Sequence, residues 1–457
     1  MQKPSNPQGT RDFGPEVMRK RNIILDTIKG VFKKYAFEPL ETPALENLSM
    51  LTGKYGDEGD KLLYKIRSNR EIVHEIDEEK AQKINELFPE RWIPGESKLG
   101  LRYDLTVPFA RFVVQHRNEI SFPFRRYQIQ PVWRADRPQK GRFREFTQCD
   151  ADCIGSSSLI HEADLIHIYD EVFTKLGLVN AVVKLNHRKF LEAMVDELSL
   201  DFPVARFTST LDKLDKVGKD AVIKELMDAG VEKAKCFELF ELITVSDLNV
   251  DMLDQLASSF NSNTLAMDAI EDLRKLVGFL GDSPLTIKLE LDLSLARGLD
   301  YYTGCIFEAI IPDSDIGSVS GGGRYDNLTD IFGLKDVSGV GISFGVDRLY
   351  EILETQNLWP DHKSANQSVL ICHFDLESQR YGIGVAQKLR QAGISTLVYP
   401  DKKRINKQLD FANNKGFTHA IVIGQDEMES AVLTMKNLSS GDQTKQGVED
   451  CISILKS

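Results

Sequence analysis

The stretch FRRYQIQPVWRADRPQKGRFREFTQCDADCIG, Phe124 to Gly155, alternates on both sides of a turn-rich centre. In its second half Gln148, Asp150 and Asp152 fall on one parity, and Cys149, Ala151 and Cys153 on the other. Successive side chains of a strand point to opposite faces. The small apolar set therefore packs inward, while an amide and two carboxylates share a polar face. Before the centre, Gln128, Gln130 and Arg134 share a parity in the same way, and Ala135 to Gly141 carry the Asp, Pro and Gly of a loop. The pattern predicts strand, long loop, strand. LRYDLT adds Arg102, Asp104 and Thr106 on one side. Such a face suits a polar ligand with an ammonium end and an anionic end; a solvated antiparallel face is the other reading of the same alternation.

Working outward, 457 residues exceed one ordinary core and point to two or three domains. The beginning, MQKPSNPQGTRDFGPEV, has no apolar signal core, and no run approaches the roughly 18 apolar residues of a membrane span. Six cysteines are scattered without CxxC or zinc-like spacing, which suits buried thiols in a reducing cytoplasm. A net charge of −12 argues against a nucleic-acid coat. Two basic islands stand out from it: Arg125, Arg126, Arg134, Arg137, Lys140, Arg142 and Arg144, and the run KKRINK from Lys402 to Lys407. They offer two places for a polyanion, against the alternative of plain solvated faces.

Residues 15–36 read as a helix with Ile24, Ile28, Val31 and Phe32 inward, running into the extended FEPLETPALE. KLGLRYDLTVPFARFVV reads as a strand ending at Thr106, which caps a helix with Pro108 in its first turn. A serine-capped helix follows at SSSLIHEADLIHIYDEVFTKLG. Helical text at about 187–283 reads as an insertion, after which strands return at LTIKLELDLSLARG and CIFEAII. A polar linker at 355–367 separates residues 1–355 from a compact α/β domain at 368–457, mostly parallel. No P-loop or dinucleotide fingerprint occurs.

One more stretch carries chemistry: LARGLDYYTGCIFEAI, Leu295 to Ile310, sets Arg297 and two tyrosines between apolar strands. Together with it, YAFEPLETPALE, the Phe124–Gly155 segment and GVGISFGVDRL resemble motifs 1, 2 and 3 of class II aminoacyl-tRNA synthetases. ARGLDYYTGCIFE and SGGGRYDNL are similar to the two signature peptides of the histidyl-tRNA synthetases, and QGTRDFGP and LRYDLTVPFAR match that family too. The resemblance covers essentially the whole chain. It implies an α/β fold of α+β type: an antiparallel sheet flanked by helices, the helical insertion, and a C-terminal α/β anticodon-binding domain. It also implies a homodimer through motif 1.

The implied reaction joins the carboxylate of L-histidine to the α-phosphate of ATP, releasing diphosphate, and passes the acyl group to the 3′ end of tRNA(His). Magnesium arrives on the nucleotide, without a dedicated protein site. By motif, Arg134 and Arg297 meet the α-phosphate and are the catalytic pair, with Arg142 and Arg348 on the rest of ATP. Asp104, Thr106 and Gln148 take the ammonium end of histidine, Asp152, Tyr301 and Tyr302 take the imidazole, Tyr325 helps to enclose the ring, and Leu105 belongs to the same histidine-binding set. Glycines 321–323 let backbone approach substrate. Arg137 and Gln139 meet the tRNA acceptor end, and KKRINK lies on the domain that takes the anticodon. Aspartate at 152 departs from relatives that carry glutamate there. The segment at 69–98 is longer than the family pattern. Two competing readings are a histidine-sensing regulatory paralogue, which would lack the C-terminal domain and the catalytic arginines, and a synthetase for proline, threonine or glycine, which LDYYTG opposes.

Overall fold

The computed structural model describes residues 3–53, 59–66, 97–197, 204–243, 245–260, 263–281, 284–296, 301–359 and 368–456. The chain divides into two compact units, Met1–Trp359 and Pro360–Ser457. The first helix, Pro15–Lys34, has proline in its first turn, where a missing N–H is harmless. It buries Ile24, Ile28, Val31 and Phe32 on one stripe. It leads into Glu38–Pro39, the outer strand of a nine-stranded sheet.

From that edge the sheet runs through Phe124–Trp133, Glu145–Ile154, Gly339–Gly345, Ser320–Tyr325, Cys305–Ile310, Val182–His187 and Lys288–Asp292 to Val245–Asp247. Glu38–Pro39 pairs parallel with its neighbour, as Val182–His187 does with Lys288–Asp292; the other pairings are antiparallel. In the central register Arg126 faces Asp152, Gln128 faces Asp150 and Gln130 faces Gln148. Gly341 faces Asp152 from the opposite side. Cys149, Ala151 and Cys153 enter the main core, as their parity required, beside Phe32, Tyr169 and Phe344.

Two local expectations need correction. The strand expected to reach Thr106 covers only Leu99–Leu101, and it lies in a separate small sheet with Leu45–Asn47 and Lys65–Ile66. The following helix, Thr106–Gln115, begins with Thr106 inside it. Asp104 supplies a side-chain bond at the helix start instead, its Oδ1 accepting from the Val107 N–H at 3.1 Å. An aspartate can reach the third backbone N–H beyond it as a cap does, so Thr106 is released. Likewise Leu159 occupies the cap position of helix Ile160–Lys175, with no side-chain cap. The Ser158 hydroxyl accepts from Ile160 N–H only at 3.5 Å.

The helices between Arg188–Glu197 and Thr264–Leu280 place Phe190, Met194, Leu253 and Leu273 in the same core as the sheet. Val245–Asp247 joins the sheet itself as its far edge. In the second unit Ser368–His373 lies between Ser395–Val398 and His419–Ile423, both parallel to it. Leu433–Asn437 and Gln443–Gln446 extend that sheet antiparallel, a feature the sequence reading passed over. Its first helix, Leu376–Gln391, is capped by Asp375 in a reciprocal box with Ser378. Of the segment at 69–98 only 97–98 fall within the described residues, and of the linker at 355–367 only 355–359.

Candidate active site

A cleft of about 970 Å³, counting its solvent-open mouth, lies over the polar face of the central strands. Asp104, Thr106, Arg134, Arg142, Gln148, Tyr301, Tyr302 and Arg348 all line it. It is therefore neither apolar nor of one charge.

The arginines are held rather than loose. The Arg134 Nε donates to the Tyr103 carbonyl at 3.1 Å, and its guanidinium lies 4.2 Å from the Tyr103 ring and 5.2 Å from the Phe146 ring. Stacking and one backbone bond aim the group while leaving other N–H donors for an anion. Arg348 donates to the Ser318 carbonyl and, at 3.4 Å, to the Gly141 carbonyl, so it ties the loop tip to the sheet. Arg142 lies 3.5 Å from Asp136. Asp347, also on the lining, is already taken: Arg11 and Arg21 both donate to it, and the Thr147 N–H adds a bond at 3.3 Å.

At the other side Gln148 donates from Nε2 to the Ser343 hydroxyl at 2.8 Å, and its Oε1 has no hydrogen-bond partner among the described residues. Beneath lies a buried ionic group. Arg126, fully buried, reaches Asp152 Oδ2 at 2.8 Å and Asp150 at 4.0 Å. The Tyr325 hydroxyl donates to Asp152 Oδ1 at 2.8 Å. Burial pushes the Asp150 carboxyl up to about 7, opposed by Arg126 and reinforced by Asp152. Burial also raises Asp152, against the pull of Arg126 and Tyr325. The Tyr302 phenol is raised by burial and then by Asp152, its foremost charged neighbour.

Glycines make the room for these groups. A Cβ on Gly341 would lie 2.1 Å from Asp152 Oδ1, one on Gly339 2.3 Å from the Tyr325 ring, and one on Gly323 2.8 Å from the Tyr302 ring. This corrects the expectation for 321–323. Gly321 lines the cleft, but a Cβ on Gly322 would lie 2.2 Å from the Gly341 carbonyl and one on Gly323 2.8 Å from the Tyr302 ring. Those two admit neighbouring protein, not substrate.

The structure thus brings eight of the expected residues to one cleft. It places Asp152 and Tyr325 just behind the lining, bonded to each other, and buries Leu105 entirely. Arg137 and Gln139 sit exposed on the loop, whose tip is closed by reciprocal backbone bonds between Gln139 and Arg142. Arg297 falls outside the described residues. Asp292 accepts from Lys184 Nζ at 2.8 Å. The first basic island is not one surface. Arg126 is buried, Arg125 pairs with Asp164 at 2.9 Å, and Arg144 donates to the carbonyls of Asp136 and Gln8, leaving Arg137, Lys140 and Arg142 exposed. The residue the sequence reading missed is Arg126. It shares the parity of Gln128 and Gln130, so the signal was present, but it was counted with the surface charges.

Comparison with known proteins agrees over the whole chain. A family model described as histidyl-tRNA synthetase matches residues 90–349, and one described as anticodon binding domain matches residues 366–457. A histidine–tRNA ligase of Cytophaga hutchinsonii is 47% identical over 453 residues, covering 99% of each chain. One of Christiangramia forsetii is 44% identical over 445 residues, covering 97% of each. The crystal structure of a histidyl-tRNA synthetase from Nostoc sp. PCC 7120 superimposes with a TM-score of 0.82 at 27% identity, covering 99% of this chain and 98% of that one.

Proposed function

The chain belongs to the histidyl-tRNA synthetase family, and from that premise we propose how its cleft carries out ATP-dependent ligation of histidine to tRNA. One observation supports the assignment of ends: a single cleft carries acceptors at Asp104, Gln148 and Tyr302 together with the guanidinium groups of Arg134, Arg142 and Arg348. Histidine and ATP are a cation-ended and a polyanionic reactant, and the two sets match them.

The histidine ammonium binds Asp104, Thr106 and the open Gln148 Oε1. Its imidazole lies against Tyr301 and Tyr302, with Asp152 behind them as acceptor. The carboxylate attacks the α-phosphorus in line with the departing diphosphate. Charge gathers on the phosphoryl oxygens as it does so, and fixed cations that strengthen their bonds at that moment lower the barrier. Arg134, pinned by Tyr103, serves there, with Arg297 the second cation by motif. Arg142 and Arg348 hold the outer phosphates and the base. Magnesium belongs to the nucleotide in this reading. The cleft carboxylates Asp136 and Asp347 already face arginines, whereas phosphate oxygens are the hard ligands it favours. When bound it neutralises the outer phosphates.

In the second step the tRNA 3′ end takes the acyl group. Arg137 and Gln139 on the exposed loop approach the acceptor end, and the 366–457 domain with KKRINK takes the anticodon, contacts of a kind that weaken with salt. The working form is a homodimer in the cytoplasm. Glu38–Pro39, in motif 1, is the edge strand of the sheet among the described residues, which suits it to the subunit contact. Among the described residues no helix is long and apolar enough to cross a membrane. The test is pyrophosphate exchange with each of the twenty amino acids. Exchange dependent on histidine, followed by charging of tRNA, is the expected result; exchange dependent on proline or threonine refutes it. A histidine-sensing paralogue would bind histidine without exchange.

A further inference from the structure

Arg126 has no part in the chemistry described above, yet its placement is costly. It is fully buried on the strand Phe124–Trp133, and two of its nitrogens, Nε and Nη1, have no hydrogen-bond partner among the described residues. A buried guanidinium needs strong compensation. Its Nη2 meets Asp152 at 2.8 Å and the Leu105 carbonyl at 3.2 Å, and its Cζ stands 4.4 Å from the Phe109 ring. Three elements thus converge on one contact: its own strand, the helix beginning at Thr106, and the strand that carries Asp152.

We propose that Arg126 is a positioning residue for amino-acid selection, clamping Asp152 against Tyr325 so that one fixed, ionised carboxylate meets the substrate side chain. The inference rests on reading the cleft as a histidine site. Asp152 is held at both oxygens, Oδ1 by a hydrogen bond from the Tyr325 hydroxyl and Oδ2 by the 2.8 Å ion pair with Arg126, although Oδ2 makes no hydrogen bond among the described residues. A carboxylate accepts about four hydrogen bonds, so each oxygen retains capacity for an imidazole N–H. An apolar side chain in that place would strand the buried charge, which turns the clamp into discrimination. Without Arg126, Asp152 would face the acid Asp150 on its own strand, the phenols Tyr302 and Tyr325, and the thiol Cys153. Asp104 lies near enough to act on Asp150 from the third side. None of these is a cation.

The sign follows from that inventory. Arg126 favours the ionised form of Asp152. Its loss raises the carboxyl further, so Asp152 takes up a proton at a higher pH and ceases to accept. Histidine affinity in the variant should fall as pH falls and recover as pH rises.

The test is histidine-dependent pyrophosphate exchange by Arg126→Met, Arg126→Lys and the double variant Arg126→Met/Asp150→Asn. It is followed from about pH 6 to about pH 9, the range in which a raised carboxyl titrates. Arg126→Met should raise the KM for histidine by about 10–100-fold near neutrality, the loss of a charge-assisted bond. Its kcat should change little, and its KM should return toward that of the parent at high pH. Arg126→Lys should lie between the two, and the double variant should keep the pH dependence. A KM for histidine within twofold of the parent, an increase equal at every pH, or a pH dependence abolished by Asp150→Asn would overturn the proposal. If Arg126→Met does not melt cooperatively, Arg126→Lys decides through the same pH profile. A parent protein that exchanges without histidine would refute the functional reading instead.

Discussion

Replacing Gly341 with alanine tests the site's construction through a single methyl group. Its Cβ would stand 2.1 Å from Asp152 Oδ1, 2.4 Å from Cγ and 2.9 Å from the Ala151 carbonyl. Non-bonded carbons rest about 3.5–4.0 Å apart, so the carboxylate must retreat by roughly 1 Å or the two strands must part. Backbone pairing on both sides opposes the second course, since Gly341 lies between Asp152 and Gly323 in the register. The carboxylate therefore moves, and the 2.8 Å bond from Tyr325 is lost. A hydrogen bond to a charged group contributes about 1.5–3 kcal/mol, and overpacking a tight interior costs about 1–3 kcal/mol. We expect destabilisation of about 3–5 kcal/mol on combining these two. The KM for histidine should rise by about 10–100-fold on the first of them alone. Equilibrium denaturation and pyrophosphate exchange measure the two effects. Gly384→Ala is the control. It lies in helix Leu376–Gln391 with nothing within 4 Å of a new Cβ, and the exchange should stabilise by about 0.5–1 kcal/mol. A Gly341→Ala protein with parental stability and histidine KM would refute the reasoning.

Arg134→Ala should slow single-turnover adenylate formation by about 10²–10³, as for loss of one donor to developing charge, with histidine binding measured by calorimetry little changed; unaltered adenylation would remove Arg134 from the chemistry. A chain ending at Trp359 should melt cooperatively and retain pyrophosphate exchange, because Met1–Trp359 is compact by itself. Charging of tRNA by that chain should fall at least about tenfold with the loss of phosphate contacts, and full charging would deny the second unit its role. Glu162→Ala should cost about 3–5 kcal/mol in a denaturant titration, since it strands the buried Arg324; a loss below about 1 kcal/mol, typical of a surface pair, would show that the pair is not buried in solution.

The central strands were legible because parity is a strong signal when one face is packed. Cys149, Ala151 and Cys153 on one side and Gln148, Asp150 and Asp152 on the other could be sorted without coordinates. What parity cannot convey is which polar group meets which. Arg126 and Asp152 are 26 positions apart in sequence, and only the antiparallel register makes them partners. For the same reason Arg125 and Arg126, adjacent in sequence, were read as one patch. They leave the strand on opposite sides, one to Asp164 and the other to Asp152. Thr106 reads as the cap because its spacing to the helix allows it, whereas in the fold it lies inside the helix and Asp104, two residues earlier, takes the Val107 N–H. The hairpin Leu433–Gln446 eluded a reading that expected helix–strand alternation to continue.

The strand Ser320–Tyr325 ends in two neighbours with opposite duties. Arg324 forks onto Glu162 at 2.5 and 2.6 Å and donates to the Ser156 and Ser158 carbonyls and the Ser338 hydroxyl, while Tyr325 bonds Asp152 on the site side. Arg324 thus moors the end of the strand to the helix Ile160–Lys175, and the neighbouring Tyr325 takes its position beside Asp152 from that mooring.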